Sequence, residues 1–302
     1  MENTLNNKEI ELTDIVDSNN SDRVMEEVKH IFSSTLSSSE MHLIEKVFSD
    51  ILNLFNGNYP GYKKCMTHYH DLEHTMDTFL AMARLIHGYI SEKGKLSNKS
   101  IILGLISSLM HDTGYIQEAN DNSGTGAQYT LTHISRSISF LKTYFADHNF
   151  SHQDVEFCEN CILCTNINTT IEDMTFASRE EEIMGKMMGI ADLLSQLANR
   201  TYLENLFLLY GEFKEGNVQG FINELDLYTK TLGFFEYVNK RFIDDLENLD
   251  NFMIVHFKTY LNIQEDLYQK AIYKNKNYLS YLIDNKKEDL LSYLRRKKLD
   301  MI

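Results

Sequence analysis

The segments THYHDLEHTMD, residues 67–77, and IILGLISSLMHDTG, residues 101–114, carry the histidines and acidic residues around which the chain is organised. The second segment places His111 and Asp112 at the end of an apolar run that is typical of a buried helix. A charged carboxylate among apolar neighbours is unfavourable unless a counter-charge neutralises it, and a metal ion is a common counter-charge. The two segments therefore predict a metal site to which His74 and one further carboxylate contribute.

The composition favours long helices and excludes two classes of partner. The 302 residues include one proline and 14 glycines, so few positions interrupt a helix. The formal net charge of −15 argues against a nucleic-acid surface, because phosphates require concentrated Lys and Arg. No stretch approaches the roughly 20 apolar residues of a membrane span, and the acidic N-terminus does not resemble a signal peptide. We therefore expect a soluble cytoplasmic protein with no membrane contact.

Helical periodicity recurs along most of the chain without strand-like alternation of useful length, so the predicted fold class is all-α. Ser37 to Ser39 are expected to cap one helix, and the histidine segment is expected to open the next. Ser97 or Asn98 is expected to begin the helix that ends at His111 and Asp112.

The pattern predicts a single helical domain. Its predicted extent is residues 23–300, with the metal-site core at about 67–195 and a helical C-terminal portion at 196–300. Residues 1–22 are polar and rich in Asn, Ser and acids, so we predict a disordered arm there, in which a short helix can form. The long amphipathic helices of the C-terminal portion are compatible with a homodimer.

Three cysteines, Cys158, Cys161 and Cys164, have the spacing C-x-x-C-x-x-C, which can supply a zinc or iron–sulfur site. The surrounding segment reads as one continuous helix, and no fourth ligand with motif spacing follows it. We therefore predict reduced cysteines that pack as small apolar side chains on one helix face.

The order His74, then His111-Asp112, then Asp192 resembles the H…HD…D ligand order of the HD-domain metal-dependent phosphohydrolases. Within that superfamily the chain is most similar to the catalytic domains of class I 3',5'-cyclic-nucleotide phosphodiesterases. Their motif Y-H-N-x-x-H-A-x-D is similar to YHDLEHTMD, residues 69–77. Three more segments resemble the family motifs A-T-D-M, A-D-L-S-N and G-F-I-D-Y-I, and they lie at residues 164–167, 191–195 and 233–238.

The chain departs from the phosphodiesterase pattern at three positions. Tyr115 stands where the motif H-D-x-x-H-P-G has its second histidine, and Gly189 replaces the histidine before A-D-L-S. The glutamine that holds the purine ring in the family would fall near Thr231 or Leu232. The metal-ligand set is therefore retained, whereas the base-recognition set is not.

The resemblance implies a multi-helical fold and a two-metal hydrolase. His74, His111, Asp112 and Asp192 would hold zinc, iron or manganese, and Asp112 would bridge to a magnesium or manganese ion held mostly by water. A hydroxide that bridges the metals would attack the phosphodiester, and His70 would protonate the leaving oxygen.

Five further residues receive less specific roles. Asp77 would orient a histidine, and His133 would bind the second metal or the phosphate. Asn166, Thr231 and Phe234 would lie near the substrate, because they fall in or beside the family motifs. Each candidate also has a structural interpretation: a buried Asp192 can cap a neighbouring helix, His70 can be a surface residue, and Phe234 can belong to the core.

Three functions follow from these residues. The first is a metal-dependent phosphodiesterase acting on a small-molecule phosphodiester or nucleotide. The second is a catalytically degenerate HD domain that binds a ligand or partner. The third is an HD-type di-iron oxygenase, which needs extra histidines where this chain has Cys164, Thr165 and Asn166.

Overall fold

Twelve α-helices, joined by loops and short 3₁₀ turns, make up residues 9–296, the part of the chain that this computed structural model describes. The predicted all-α fold class is therefore confirmed, and no strand occurs within that range. The helices are α1 (Leu12–Ile15), α2 (Ser21–Ile31), α3 (Ser38–Phe55), α4 (Leu72–Lys93), α5 (Asn98–Met110), α6 (His133–Asp147), α7 (His152–Leu163), α8 (Arg179–Ala198), α9 (Tyr202–Glu215), α10 (Glu224–Asp244), α11 (Phe252–Leu261) and α12 (Leu267–Asn285).

Side-chain caps fix where the site-bearing helices begin. Ser97 caps α5 by accepting the backbone N–H of Ser100 at 3.2 Å. Asp71 caps α4 by accepting the backbone N–H of His74 at 3.0 Å. The histidine segment was expected to lie on this helix, but the cap at Asp71 leaves His70 in the preceding loop.

Helices α4, α5 and α8 pack against one another in the centre of the domain. In α5 every residue from Ser100 to Met110 is buried, so this helix is enclosed on all sides. Its buried serines need local partners, and Ser107 and Ser108 donate to the carbonyls of Leu103 and Leu105 at 2.8 Å. The central packing therefore presents the C-terminal end of α5 to both neighbouring helices.

The N-terminal segment differs from the predicted disordered arm. Residues 1–8 lie outside the described residues, but α1 packs Leu12 and Ile15 against the core. Glu9 forms ion pairs with Lys270 at 3.0 Å and with Lys274 at 2.8 Å. Helix α2 starts at Ser21, so the folded domain begins before the predicted residue 23. The expected C-terminal boundary, residue 300, falls beyond the described range.

The three clustered cysteines pack inside the helical core. Cys158 and Cys161 lie on α7, Cys164 follows its last residue, and all three are buried and free of disulfides. Burial raises the pKa of the Cys158 thiol to about 12, so the thiol is protonated and apolar. This agrees with the predicted packing role.

No helix in the described range is long and apolar enough to cross a membrane.

Candidate metal centre

The three central helices bring the four predicted metal ligands together. His74 lies in the first turn of α4, His111 and Asp112 follow the last residue of α5, and Asp192 lies within α8. Each of these residues is no more than 8% exposed. Asp192 therefore faces the histidines in the centre of the domain and does not cap a neighbouring helix.

The four side chains converge through one atom each. The Nε2 atoms of His74 and His111 are 3.4 Å apart, and Oδ2 of Asp112 lies 3.4 Å and 3.2 Å from them. Oδ1 of Asp192 lies 3.1 Å from His74 Nε2 and 3.7 Å from His111 Nε2. Two donor atoms that bind one transition-metal ion through bonds of about 2.1 Å lie roughly 3.0–3.5 Å apart. The separations among His74, His111 and Asp112 fit donors that share one ion, whereas Asp192 meets this range towards His74 and is slightly farther from His111.

Two further observations support a cation at this point. Nδ1 of His111 lies 2.9 Å from the carbonyl oxygen of Ser108, so the ring donates there and directs the Nε2 lone pair to the centre. Oδ2 of Asp112 is buried and has no hydrogen-bond partner. An unsatisfied buried carboxylate oxygen is unfavourable, and a bound cation would satisfy it.

The charges of the cluster shift the pKa values of its members. Burial lowers the pKa of His74, but the interactions with the carboxylates of Asp112 and Asp192 outweigh it and raise that pKa well above its ordinary value. Burial raises the pKa of Asp112, but His111 and His74 outweigh it and hold that pKa well below its ordinary value. A divalent cation would compete for the same atoms, so binding would release protons.

His133 lies on the opposite side of the Asp112 carboxylate. Its Nε2 is 3.9 Å from Asp112 Oδ1, and its Nδ1 donates to the carbonyl of Thr130 at 2.7 Å. Asp112 thus directs Oδ2 to the first group of ligands and Oδ1 towards His133, as a bridging carboxylate would. Gly114 permits this approach, because a Cβ there would lie 1.9 Å from the carbonyl oxygen of His133.

His70 is held by a carboxylate that the sequence analysis did not identify. Its Nδ1 lies 2.6 Å from Oε2 of Glu212. Oε1 of Glu212 accepts the backbone N–H groups of His68 and Tyr69 at 2.8 Å and 2.7 Å. Burial raises the pKa of Glu212, but the charge and hydrogen bond of His70 outweigh it and lower that pKa. Because 142 positions separate the partners, no local motif could reveal the pair.

Tyr115 stacks on two histidine rings, which lie 6.1 Å from each other. Its ring centroid lies 4.3 Å from that of His70 and 4.6 Å from that of His133, with interplanar angles of 11° and 20°. Tyr115 is 1% exposed. The residue that departs from the phosphodiesterase motif therefore fixes the relative positions of His70 and His133.

A second group missed by the sequence analysis supports Asp192. The side-chain amide of Gln196 donates to Asp192 Oδ1 at 2.8 Å. The hydroxyl of Tyr69 donates to Oε1 of Gln196 at 3.0 Å. The only local signal was the spacing of Gln196, one helical turn after Asp192.

Two predicted residues have other partners than expected. Asp77 accepts a hydrogen bond from Asn199 at 2.9 Å instead of orienting a histidine. Asn166 accepts the backbone N–H of Asn168 at 3.0 Å and so stabilises its own turn. Gly189 also has a packing reason, because a Cβ there would lie 2.6 Å from the carbonyl oxygen of Cys164. A histidine would not fit at that position.

A cavity of about 550 Å³, which we call the chamber, adjoins the centre. His70, Tyr115 and His133 line one part of it, and Thr231 and Phe234 line another. The apolar walls come mainly from α9, α10 and the loop between them, residues 216–223. The apolar side chains in these walls include Leu206, Leu209, Phe213, Phe221 and Leu227.

Comparison with known proteins gives one match. A family model described as Npun_R2479-like matches residues 21–254, a span that includes the four clustered ligands, His70, His133 and Glu212. The chain therefore belongs to the Npun_R2479-like family. No curated protein and no solved structure matches it.

Proposed function

We propose that this member of the Npun_R2479-like family is a metal-dependent phosphohydrolase that cleaves a small-molecule phosphodiester. The observation that carries the proposal is the convergence of four donor atoms of His74, His111, Asp112 and Asp192 beside the chamber. Three of these residues form a buried group whose ligand atoms all lie within 4.8 Å of one another. The motif order also resembles that of HD-domain hydrolases.

The donor set decides which ions would suit the centre. Two imidazoles and two carboxylates suit zinc, iron or manganese. Oδ1 of Asp112, with His133 at 3.9 Å, offers fewer protein donors and suits magnesium or manganese with water. When bound, such ions supply Lewis-acid polarisation of a phosphoryl oxygen and lower the pKa of coordinated water.

His70 is the proposed proton donor to the leaving oxygen. Its Nδ1 is engaged with Glu212 at 2.6 Å, which fixes the tautomer and leaves Nε2 for the exchange. Both histidine rings that stack on Tyr115 line the chamber, so a substrate there would meet His70 and His133 together. The ordered stack places the proton donor without the cost of freezing its rotation at each turnover.

A second candidate is a ligand-binding domain without turnover. Tyr115 favours it, because a buried tyrosine fills the place of the second histidine of the phosphodiesterase motif. The oxygenase has no comparable support, since Cys164 is buried and Gly189 packs against its carbonyl group. The tight packing of Cys164 against Gly189 leaves no room for additional histidine ligands at this position.

The deciding experiment measures metal content and turnover in one preparation. Full-length protein would be incubated with manganese or magnesium and a generic aryl phosphodiester, after elemental analysis. We expect bound transition metal and hydrolysis, with both lost in Asp112→Ala. Asp244→Ala is the matched control, because this exposed aspartate on α10 pairs only with Lys240 among the described residues. Metal binding without hydrolysis of any phosphodiester would favour the binding domain, and no metal after reconstitution would overturn the metal centre.

A further inference from the structure

We propose that the chamber binds an apolar alkyl or acyl group of the substrate and does not bind a nucleoside. The inference rests on the proposed phosphodiesterase function, because it assigns the chamber to the organic group attached to the phosphate. His70 and His133 line the chamber, so an ester group beside them would extend its substituent along the remaining walls.

The walls of the chamber are mainly apolar. Near Thr231, where the phosphodiesterases have the glutamine that holds the purine ring, the hydroxyl groups already donate to backbone carbonyls. The hydroxyl of Thr231 donates to the carbonyl of Leu227 at 2.8 Å. The hydroxyl of Tyr237 donates to the carbonyl of Ile167 at the same distance. Because both hydroxyl protons are already donated, these side chains can only accept, and the ring nitrogens of a nucleobase there would find no donor from them.

Lys230, the positively charged residue of α10 that lines the chamber, already has hydrogen-bond partners. The ammonium group of Lys230 donates to Asp226 at 2.8 Å and to the carbonyl of Gly220 at 2.6 Å. Its charge also lies 5.6 Å from the ring centroid of Phe221. Lys230 thus fastens the loop of residues 216–223 to α10 and is not free to select a second phosphate.

The size of the chamber suits a chain of moderate length. Its volume of about 550 Å³ corresponds to roughly 18 times the 30 Å³ share of one water in the liquid. An organic group with on the order of 15 non-hydrogen atoms would fill it. Phe213 and Phe221 stack at 5.3 Å and 19°, so the loop contributes a rigid aromatic side to this space.

Exposed apolar side chains lie next in sequence to chamber residues. Ile222 is 84% exposed and follows Phe221, whereas Leu131 is 71% exposed and follows Thr130. Single exposed apolar residues are common on protein surfaces, so the apolar walls of the chamber carry the assignment. The substrate class is therefore an amphiphile: a phosphodiester with one apolar chain.

The first test is a chain-length series in the metal-loaded full-length protein. Aryl alkyl phosphodiesters from methyl to decyl would be compared by kcat/KM, together with a cyclic purine nucleotide. Burial of each methylene predicts a gain of about fourfold until the chamber is full. A flat series, or a kcat/KM for the nucleotide above that of the longest ester, would overturn the inference.

The second test is independent of turnover. Binding of a fluorescent anilinonaphthalene sulfonate would be competed with decyl phosphate and with adenosine monophosphate, in the native protein and in Asp112→Ala. We expect decyl phosphate to displace the probe at least tenfold more effectively in both proteins. If decyl phosphate displaces the probe as expected but no ester is hydrolysed, the proposed function fails and the chamber assignment stands, whereas equal displacement by the two competitors would overturn the assignment.

A wall variant connects both tests to the chamber. Leu209→Trp would shorten the cavity and lower the ratio of decyl to methyl kcat/KM at least tenfold. Ile243→Trp is the control, since this residue is 52% exposed on α10 and does not line the chamber. An equal effect of the two variants would overturn the assignment of the chamber.

Discussion

The ring of Tyr115 lies nearly parallel to the imidazole of His70, with centroids 4.3 Å apart and planes inclined by 11°. The same ring also stacks on His133, with centroids 4.6 Å apart. Two of the proposed functional histidines are thus positioned by one aromatic side chain. Tyr115 belongs neither to the candidate metal ligands nor to the proposed proton-donor pair of His70 and Glu212.

Substitutions at Tyr115 test whether this residue positions His70 and His133 without contributing to metal binding. Tyr115→Ala would leave a buried cavity and destabilise the fold by about 3–5 kcal/mol. We expect it to lower kcat at least tenfold, because His70 and His133 lose their common support. Tyr115→Phe keeps the stack and should retain kcat within about threefold. Metal content measured in both variants should match the native protein, and its loss in Tyr115→Phe would contradict the positioning role.

Glu212 should affect proton transfer without affecting the metal. Glu212→Gln removes the charge that holds His70 through Nδ1, so we expect kcat to fall on the order of 10²-fold. Glu215→Gln is the matched control on the same helix, since Glu215 contacts Thr125 and the backbone of Gln128. Equal losses in both variants would argue for a general effect on α9.

We expect replacement of glycine by alanine to have opposite effects on stability at Gly114 and at Gly211. Gly114→Ala would force a Cβ to within 1.9 Å of the His133 carbonyl oxygen, so we expect destabilisation of about 1–3 kcal/mol or more. A Cβ at Gly211, inside α9, meets nothing within 4 Å, and Gly211→Ala should stabilise the protein by roughly 0.5–1 kcal/mol. Denaturant unfolding measures both values. A stable Gly114→Ala protein would show that the start of α6 can shift.

We expect the buried His256 to make the folded protein less stable in mild acid. Burial, followed by the charges of Arg84 and His87, lowers the pKa of His256 to about 2. The folded state therefore keeps this ring neutral, whereas the unfolded state binds a proton below about pH 6.5. The stabilising contribution is complete above pH 6.5 and is lost as the pH falls.

The expected slope is up to about 1.4 kcal/mol per pH unit below pH 6.5. His87 adds to it, because burial also lowers the pKa of that residue. His256→Leu should flatten the dependence of the unfolding free energy on pH between 6.5 and 4.5. The exposed His152 provides the control, and His152→Gln should leave the slope unchanged. An unchanged slope in His256→Leu would show that the acid sensitivity arises elsewhere.

The sequence was sufficient for the features that depend on local pattern. Helical periodicity and the cap at Ser97 located α5, and the buried character of its residues indicated where the chain needs a counter-charge at Asp112. The order of His74, His111, Asp112 and Asp192 predicted the set that the fold brings together. The cysteine pattern also led to the correct packing prediction, because a continuous helix presents such side chains to the core.

Tertiary packing decided everything that joins distant segments. Only the contact between the loop before α4 and helix α9 pairs His70 with Glu212, and only the close approach at Gly114 brings His133 within 3.9 Å of Asp112. Contacts between distant segments are difficult to predict from a single sequence, because they depend on helix placement and not on residue spacing. The sequence by itself determined an all-α chain with the order of the candidate metal ligands, and the fold determined the pairing of His70 with Glu212, the tyrosine stack and the apolar chamber.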